Sequence, residues 1–196
     1  MSKSSILLGG EPKCLTIDGR DYKINTDFRV FVKFELMMQD RNNTDNSDDD
    51  KLLLYVLSDF YYGNVPDNRS DAADRMLEFY RIHDVNPSGS GHAGEKMIYS
   101  FEHDGDRIFA SFRRCYGIDL SCAALSWRQF HALLDNLPED SEFMKAVMYR
   151  SMKISGDLPR KERERLMELK RFYALPDNRT AAEKERDFAN VFATMF

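Results

Sequence analysis

Glu102, His103, Asp104 and Asp106 are the nearest approach in this chain to a cluster that could do chemistry. An imidazole among carboxylates is the material of a metal site or of an acid/base pair. At helical spacing, however, the four side chains fan out around the start of a helix, where the backbone dipole favours acidic residues. The run DRNNTDNSDDD at 40–50 is rich in oxygen donors. It lacks the glycine and the closing glutamate that a helix–loop–helix calcium site places in its loop. GSGHAG at 89–94 is neither preceded by a strand nor followed by a phosphate motif, and reads as a flexible surface loop. No GxGxxG, no GxxxxGK followed by Ser or Thr, and no HExxH occurs. No Ser or Cys stands beside a His in the context of an activated nucleophile. The expectation is a protein that is not an enzyme, with no catalytic residue, no cofactor and no metal ligand.

Composition narrows the classes further. The chain has 196 residues, 28 Lys and Arg against 33 Asp and Glu, and a net charge of -5. A general nucleic-acid binder needs a basic surface that releases counterions, so that class is disfavoured. PRKERERLMELKRF at 159–172 is locally basic. Its glutamates interleave with the cations at 3–4 residue spacing, the pattern of a solvated helix face. No apolar run approaches the roughly 20 residues that cross a bilayer, so no membrane role is expected. Cys14, Cys115 and Cys122 are odd in number and widely spaced, as suits a reducing compartment. Cys115 is expected to pack as a small apolar side chain.

The elements that carry these residues follow from periodicity. Residues 1–12 read as a flexible tail. Cys14–Ile17 and Tyr22–Ile24 are β-compatible and flank Asp18-Gly19, the pair a tight hairpin turn requires. Thr26 or Asp27 caps a first helix carrying Val30, Phe31, Phe34, Met37 and Met38. A second helix runs from about Asp49 to Tyr62, with Leu53, Val56, Leu57 and Phe60 inward. A third covers Ser70 to His83, with Ala73, Met76, Leu77 and Tyr80 as its stripe. A fourth runs from His103 to Tyr116, presenting Ile108, Phe112, Cys115 and Tyr116, and Gly117 ends it. Trp127, Phe130, Leu134 and Leu137 form one stripe of a fifth helix, with Ser126 as its cap. A sixth spans Ser141 to Ile154, and a seventh Pro159 to Ala174. Thr180 and Glu183 form a capping box for a last helix. The result is a mainly α fold, a bundle of about seven to eight helices with a small N-terminal β-hairpin. Its single domain covers 13–175, and 176–196 form a C-terminal helical appendage. Phe112, Tyr116, Trp127, Phe130 and Leu134 are expected at the heart of the core.

Methionine is the subtler signal. Ten are present, and Met144, Met148 and Met152 recur every four residues beside a second stripe of Phe143, Val147 and Ile154. A helix apolar over so wide an arc is either central to the bundle or offers one edge to a partner. Flexible thioethers adapt to varied apolar surfaces. Met144, Met148 and Met152, with Leu166 and Met167, are therefore the candidate partner-binding residues.

Several motifs in fixed order carry a family resemblance. They are Asp27-Phe28-Arg29; Tyr99-Ser-Phe-Glu-His-Asp104 with Ile108-Phe109-Ala110-Ser111-Phe112; Tyr116-Gly117-Ile118-Asp119-Leu120; and Leu125-Ser126-Trp127-Arg128-Gln129-Phe130, followed by Leu133-Leu134 and Asn136-Leu137-Pro138. Over roughly 14–175 the chain resembles the tail assembly chaperone-like proteins of long-tailed, non-contractile bacteriophages. Where that family often has His-Trp before the Phe, this chain has Ser126-Trp127. The resemblance implies a chaperone that transiently holds the tape measure protein and helps recruit tail tube protein. It implies residence in the cytoplasm of the bacterial host, absence from the mature virion, and a possible homo-oligomer. The rival readings are a structural tail or connector component retained in the virion and, further off, a nucleic-acid-binding regulator.

Overall fold

The computed structural model describes residues 6, 11–41, 49–81 and 98–176. The acidic run from 42 to 48, the Gly-rich loop at 86–94 and the expected last helix lie outside the described residues, as does most of the expected N-terminal tail. The described chain is mainly helical: a hairpin of β1 (Cys14–Ile17) and β2 (Arg20–Lys23) precedes α1 (Phe28–Arg41), α2 (Asp49–Phe60), α3 (Arg69–Tyr80), α4 (Phe101–Tyr116), α5 (Trp127–Asp135), α6 (Glu142–Ser151) and α7 (Arg160–Phe172). It divides into two compact units, Met1–Ser151 and Met152–Phe196.

Within the first unit, the hairpin turns on two residues rather than four. Ile17 pairs with Arg20 and Leu15 with Tyr22. Asp18 (φ 49°) and Gly19 (φ 76°) both adopt the left-handed conformation, the geometry of a turn that matches strand twist. Leu15, Ile17 and Ile24 are buried beneath it. A two-stranded unit is marginal alone, and β1 lies against α3.

Helix α1 is the hub, in contact with α2, α4 and α5. Its start is stitched to the start of α5, a hundred residues on. The Trp127 N–H donates to the Thr26 carbonyl (2.8 Å) and the Phe28 N–H to the Leu125 carbonyl (3.1 Å), which makes Asp27 and Ser126 an antiparallel bridge. Asp27 accepts from the Arg29 N–H (2.9 Å) and from its guanidinium, whose other nitrogen donates to the carbonyls of Leu120 (2.7 Å) and Ala123 (3.1 Å). Asp27-Phe28-Arg29 is thus an architectural clamp: the acid caps α1, and the arginine satisfies the turn before α5. Ser126 caps α5 through a reciprocal box with Gln129, as its position predicts, and its hydroxyl donates to Glu11 (2.8 Å).

The core is aromatic. Phe28 stacks on Phe130 (4.6 Å between centroids), Phe112 on Phe130 (5.3 Å), and Tyr80 on Trp127 (5.6 Å), with Phe31 5.1 Å from Trp127. Such pairs add about 0.5–1.5 kcal/mol each beyond area burial. The Trp127 indole is 1% exposed and donates to the Tyr80 carbonyl (3.2 Å). Phe112, Phe130 and Leu134 are buried with it; Tyr116 is half-buried, its hydroxyl donating to the Leu133 carbonyl (2.9 Å).

Some expected faces are rotated. In α2, Leu53 is exposed while Val56, Leu57, Phe60 and Tyr61 are buried. In α1, Met38 is exposed. In α3 the buried residues are Ala72, Met76 and Phe79, with Ala73, Leu77 and Tyr80 only partly covered. Each of these stripes is wider than one helical turn resolves, so periodicity alone leaves the facing direction uncertain by about a residue. Cys115 packs half-buried against the core, as expected.

Candidate functional site

Helix α6 lies along α4 and presents the methionine edge. Its inner side is Phe143 and Ala146, both buried. Phe143 meets the Tyr99 ring at 5.7 Å, and its N–H donates to the buried Ser111 hydroxyl (3.3 Å). The Ser141 hydroxyl accepts from the Met144 N–H (3.3 Å) at the N-terminus.

The other end is fixed by a buried charge network. Asp104, fully buried, accepts two hydrogen bonds from the Arg150 guanidinium (2.5 and 2.8 Å), one from Arg107 (3.0 Å) and one from the Ser100 N–H (3.1 Å). Arg150, whose side chain is only 7% exposed, also donates to the Ile98 carbonyl (3.1 Å). Burial alone would raise the Asp104 carboxyl; the Arg150 and Ser100 bonds and the Arg107 contact outweigh it and hold the group below the usual carboxylate range. Such a pair is weak evidence for net stability, but removing one partner is strongly destabilising. Its geometric effect is to fix α6 in one register against α4.

Here the sequence expectation is corrected. Asp104 does not fan out into solvent with Glu102, His103 and Asp106; it turns inward to Arg150. A signal for it exists. Asp104, Ile108 and Phe112 recur every four residues, so the apolar stripe of α4 continues back into the carboxylate. Phe143, Ala146 and Arg150 likewise share one face of α6. Two opposite charges at the inner ends of two stripes predict a pair. Among the described residues, no group of three His, Cys, Asp or Glu side chains could hold a metal ion. No described helix is long and apolar enough to cross a membrane.

The outer edge of α6 carries Met144, half-buried against the core, and Met148, 41% exposed. Met152 is no longer on this helix. The Ser151 hydroxyl donates back to the Val147 and Met148 carbonyls (2.9 and 3.1 Å), and the helix ends there rather than at Ile154. Met152 is half-buried and opens the second unit, which also contains α7 with Leu166 half-buried and Met167 47% exposed. The five candidates therefore fall in two groups, Met144 and Met148 in one unit and Met152, Leu166 and Met167 in the other. Phe172, at the end of α7 and not singled out by the spacing, has the highest fractional exposure among the described large apolar residues, 73%.

The bacteriophage Gp15 protein family model matches residues 12–175. The chain belongs to that family. The match covers the hairpin, α1 to α6 and α7, and so includes both the Asp27-Phe28-Arg29 clamp and the Asp104–Arg150 lock. No curated protein and no solved structure matches the chain.

Proposed function

We propose that this phage protein is a tail assembly chaperone that transiently holds the tape measure protein and helps recruit tail tube protein. The observation that carries the reading is the α6 edge. Met144 and Met148 stand on successive turns of a helix anchored at both ends, one of them openly exposed. A fixed frame with adaptable thioethers on its rim suits a surface that must accept varied apolar sequence and then release it. Leu166 and Met167 offer a second patch, and Met152 a third apolar side chain. On this reading the protein acts in the host cytoplasm, makes or breaks no bond, needs no cofactor, and is missing from the finished particle.

The test is co-expression with the tape measure protein. Replacing Met144, Met148 and Met152 together by Gln should abolish co-purification while the chain still melts cooperatively. If the triple variant unfolds, Met148→Gln alone decides, because its side chain is the least engaged. Wild-type co-purification with Met148→Gln removes the α6 surface from the reading. Abundant chain in purified virions, measured by mass spectrometry, replaces the chaperone with a retained tail component.

A further inference from the structure

We propose that residues 180–196 are an internal occupant of the second unit's apolar side, competing with a client helix for Met152 and Leu166. The competition with a client rests on the chaperone reading; the occupancy itself does not.

The described part of the second unit is a core left unfinished. Met152, Ile154 and Leu158 precede α7, and Leu166, Leu169 and Tyr173 follow along it. All are half-buried, and no residue from 152 to 176 is buried. The half-buried positions of α7 and its C-cap are Arg163, Leu166, Leu169, Lys170 and Tyr173, which helical periodicity gathers into an arc of about 120°. The Lys170 ammonium donates to the Met152 carbonyl, so the chain before α7 returns to that same side. Two elements that leave every apolar side chain half-covered lack a third.

The sequence supplies one of matching pattern. Thr180 and Glu183 open the predicted last helix, which lies outside the described residues. Along it Phe188, Val191, Phe192, Met195 and Phe196 follow at i, i+3, i+4, i+7 and i+8, an apolar seam about 140° wide. The half-covered positions 166, 169, 170 and 173 have the same spacing as 188, 191, 192 and 195. Residues 173–179 alone separate α7 from Thr180, a connection of the length that joins antiparallel helices. In that pairing Phe188 stands about 12 Å from the turn, level with Leu166, and the rest of the seam runs on toward Leu158 and Ile154. A tether this short sets an effective concentration on the order of mM, which favours this segment over a second copy of the chain. Half-burial keeps the contact shallow, and shallow contacts open at low free energy. A client helix with the same seam therefore meets the same side chains.

The experiment compares the full chain with two double variants, Phe188→Ser with Phe192→Ser and Leu166→Ser with Leu169→Ser. Emission from Trp127, the single tryptophan, should be alike in all three, because it reports the first unit. If a double variant loses that emission, Phe192→Ser and Leu166→Ser alone carry the comparison. Hydrogen exchange of the α7 amides should quicken at least about tenfold in the Phe188/Phe192 variant. A labelled peptide of residues 180–196, followed by fluorescence anisotropy, should bind that variant at least about tenfold more tightly than the parent, and should fail to bind the Leu166/Leu169 variant. Unchanged α7 exchange, or equal peptide binding to all three chains, overturns the proposal. So does a parent dimer that the Phe188/Phe192 variant dissociates, since the segment then serves a second copy. Unchanged exchange in a chain that still co-purifies with the tape measure protein removes the occupant and leaves the chaperone function standing. The expected exchange and peptide results in a chain that never recovers the tape measure protein do the reverse.

Discussion

The two units of this protein use the same helix-forming residues in opposite ways. In the first, rings from α1, α3, α4 and α5 converge on Trp127, and nearly every apolar stripe finds a partner. In the second, α7 combines the Arg160–Glu164 ion pair with helix-forming residues while leaving Met167 and Phe172 exposed. Arg, Lys, Glu, Leu and Met are strong helix formers, so α7 needs little burial to exist. The contrast separates side chains that hold a unit together from side chains that a unit leaves exposed.

The sharpest way to break the comparison is at its densest point. Burying Trp127 removes on the order of 200 Å² from water. Trp127→Ala should cost about 3–5 kcal/mol, read as a large drop in the thermal or urea midpoint. A cooperative melt with an unchanged midpoint would show that the ring cluster does not hold the unit together.

The next effect is electrostatic. Arg150→Met leaves Asp104 buried with only Arg107 and the Ser100 N–H, and should cost about 3 kcal/mol. Adding Asp104→Leu should recover most of it, since an apolar pair replaces the stranded charge. The pH dependence has a definite sign. The folded-state carboxyl lies below its ordinary value, so its contribution is complete above about pH 4 and is lost as pH falls through the lower folded value. The double variant should show a flatter acid limb in urea titrations at graded pH.

Tyr61 gives the alkaline counterpart. Its buried hydroxyl donates to the Ala72 carbonyl (3.0 Å), and burial, helped by Asp71 and opposed by Arg75, pushes it up to about 12. The fold favours the protonated phenol. That contribution is intact below the unfolded value of about 10 and is lost as pH rises from there to about 12, roughly 2–3 kcal/mol in all. Tyr61→Phe should erase the alkaline loss while costing about 1 kcal/mol at neutral pH. The smallest effect belongs to the other unit. Met167→Ser or Phe172→Ser should shift stability by less than about 0.5 kcal/mol, and a larger shift would mean that α7 is folded by those side chains rather than offering them.

Sequence periodicity made the fold legible where residues act locally. The Asp18-Gly19 turn, the Ser126 cap, Gly117 in the left-handed conformation at the end of α4 (φ 69°) and the Trp127–Phe130–Leu134 stripe each need only neighbours within a turn or two. Facing direction was less legible. Leu53 and Met38 lie on arcs where several apolar residues compete for one interior, and tertiary packing decides among them. Least legible was the Asp104–Arg150 lock, because its halves are 46 residues apart and each has an ordinary local explanation, a dipole-favoured acid and a terminal base. The candidate binding edge was half readable. Spacing finds the methionines, but the helix stops at Ser151, short of Met152.

The hydrogen bonds that join Thr26 and Phe28 to Trp127 and Leu125 also set an order of events during synthesis. The N-terminal half leaves the ribosome first, and the rings of Phe28 and Phe31 have no indole or Phe130 to meet until the chain has grown a hundred residues further. Contacts of such sequence separation close late. A nascent copy of this protein therefore passes through a stage in which Phe28 lacks its stacking partner, and the first unit is completed only when α5 and then α6 arrive.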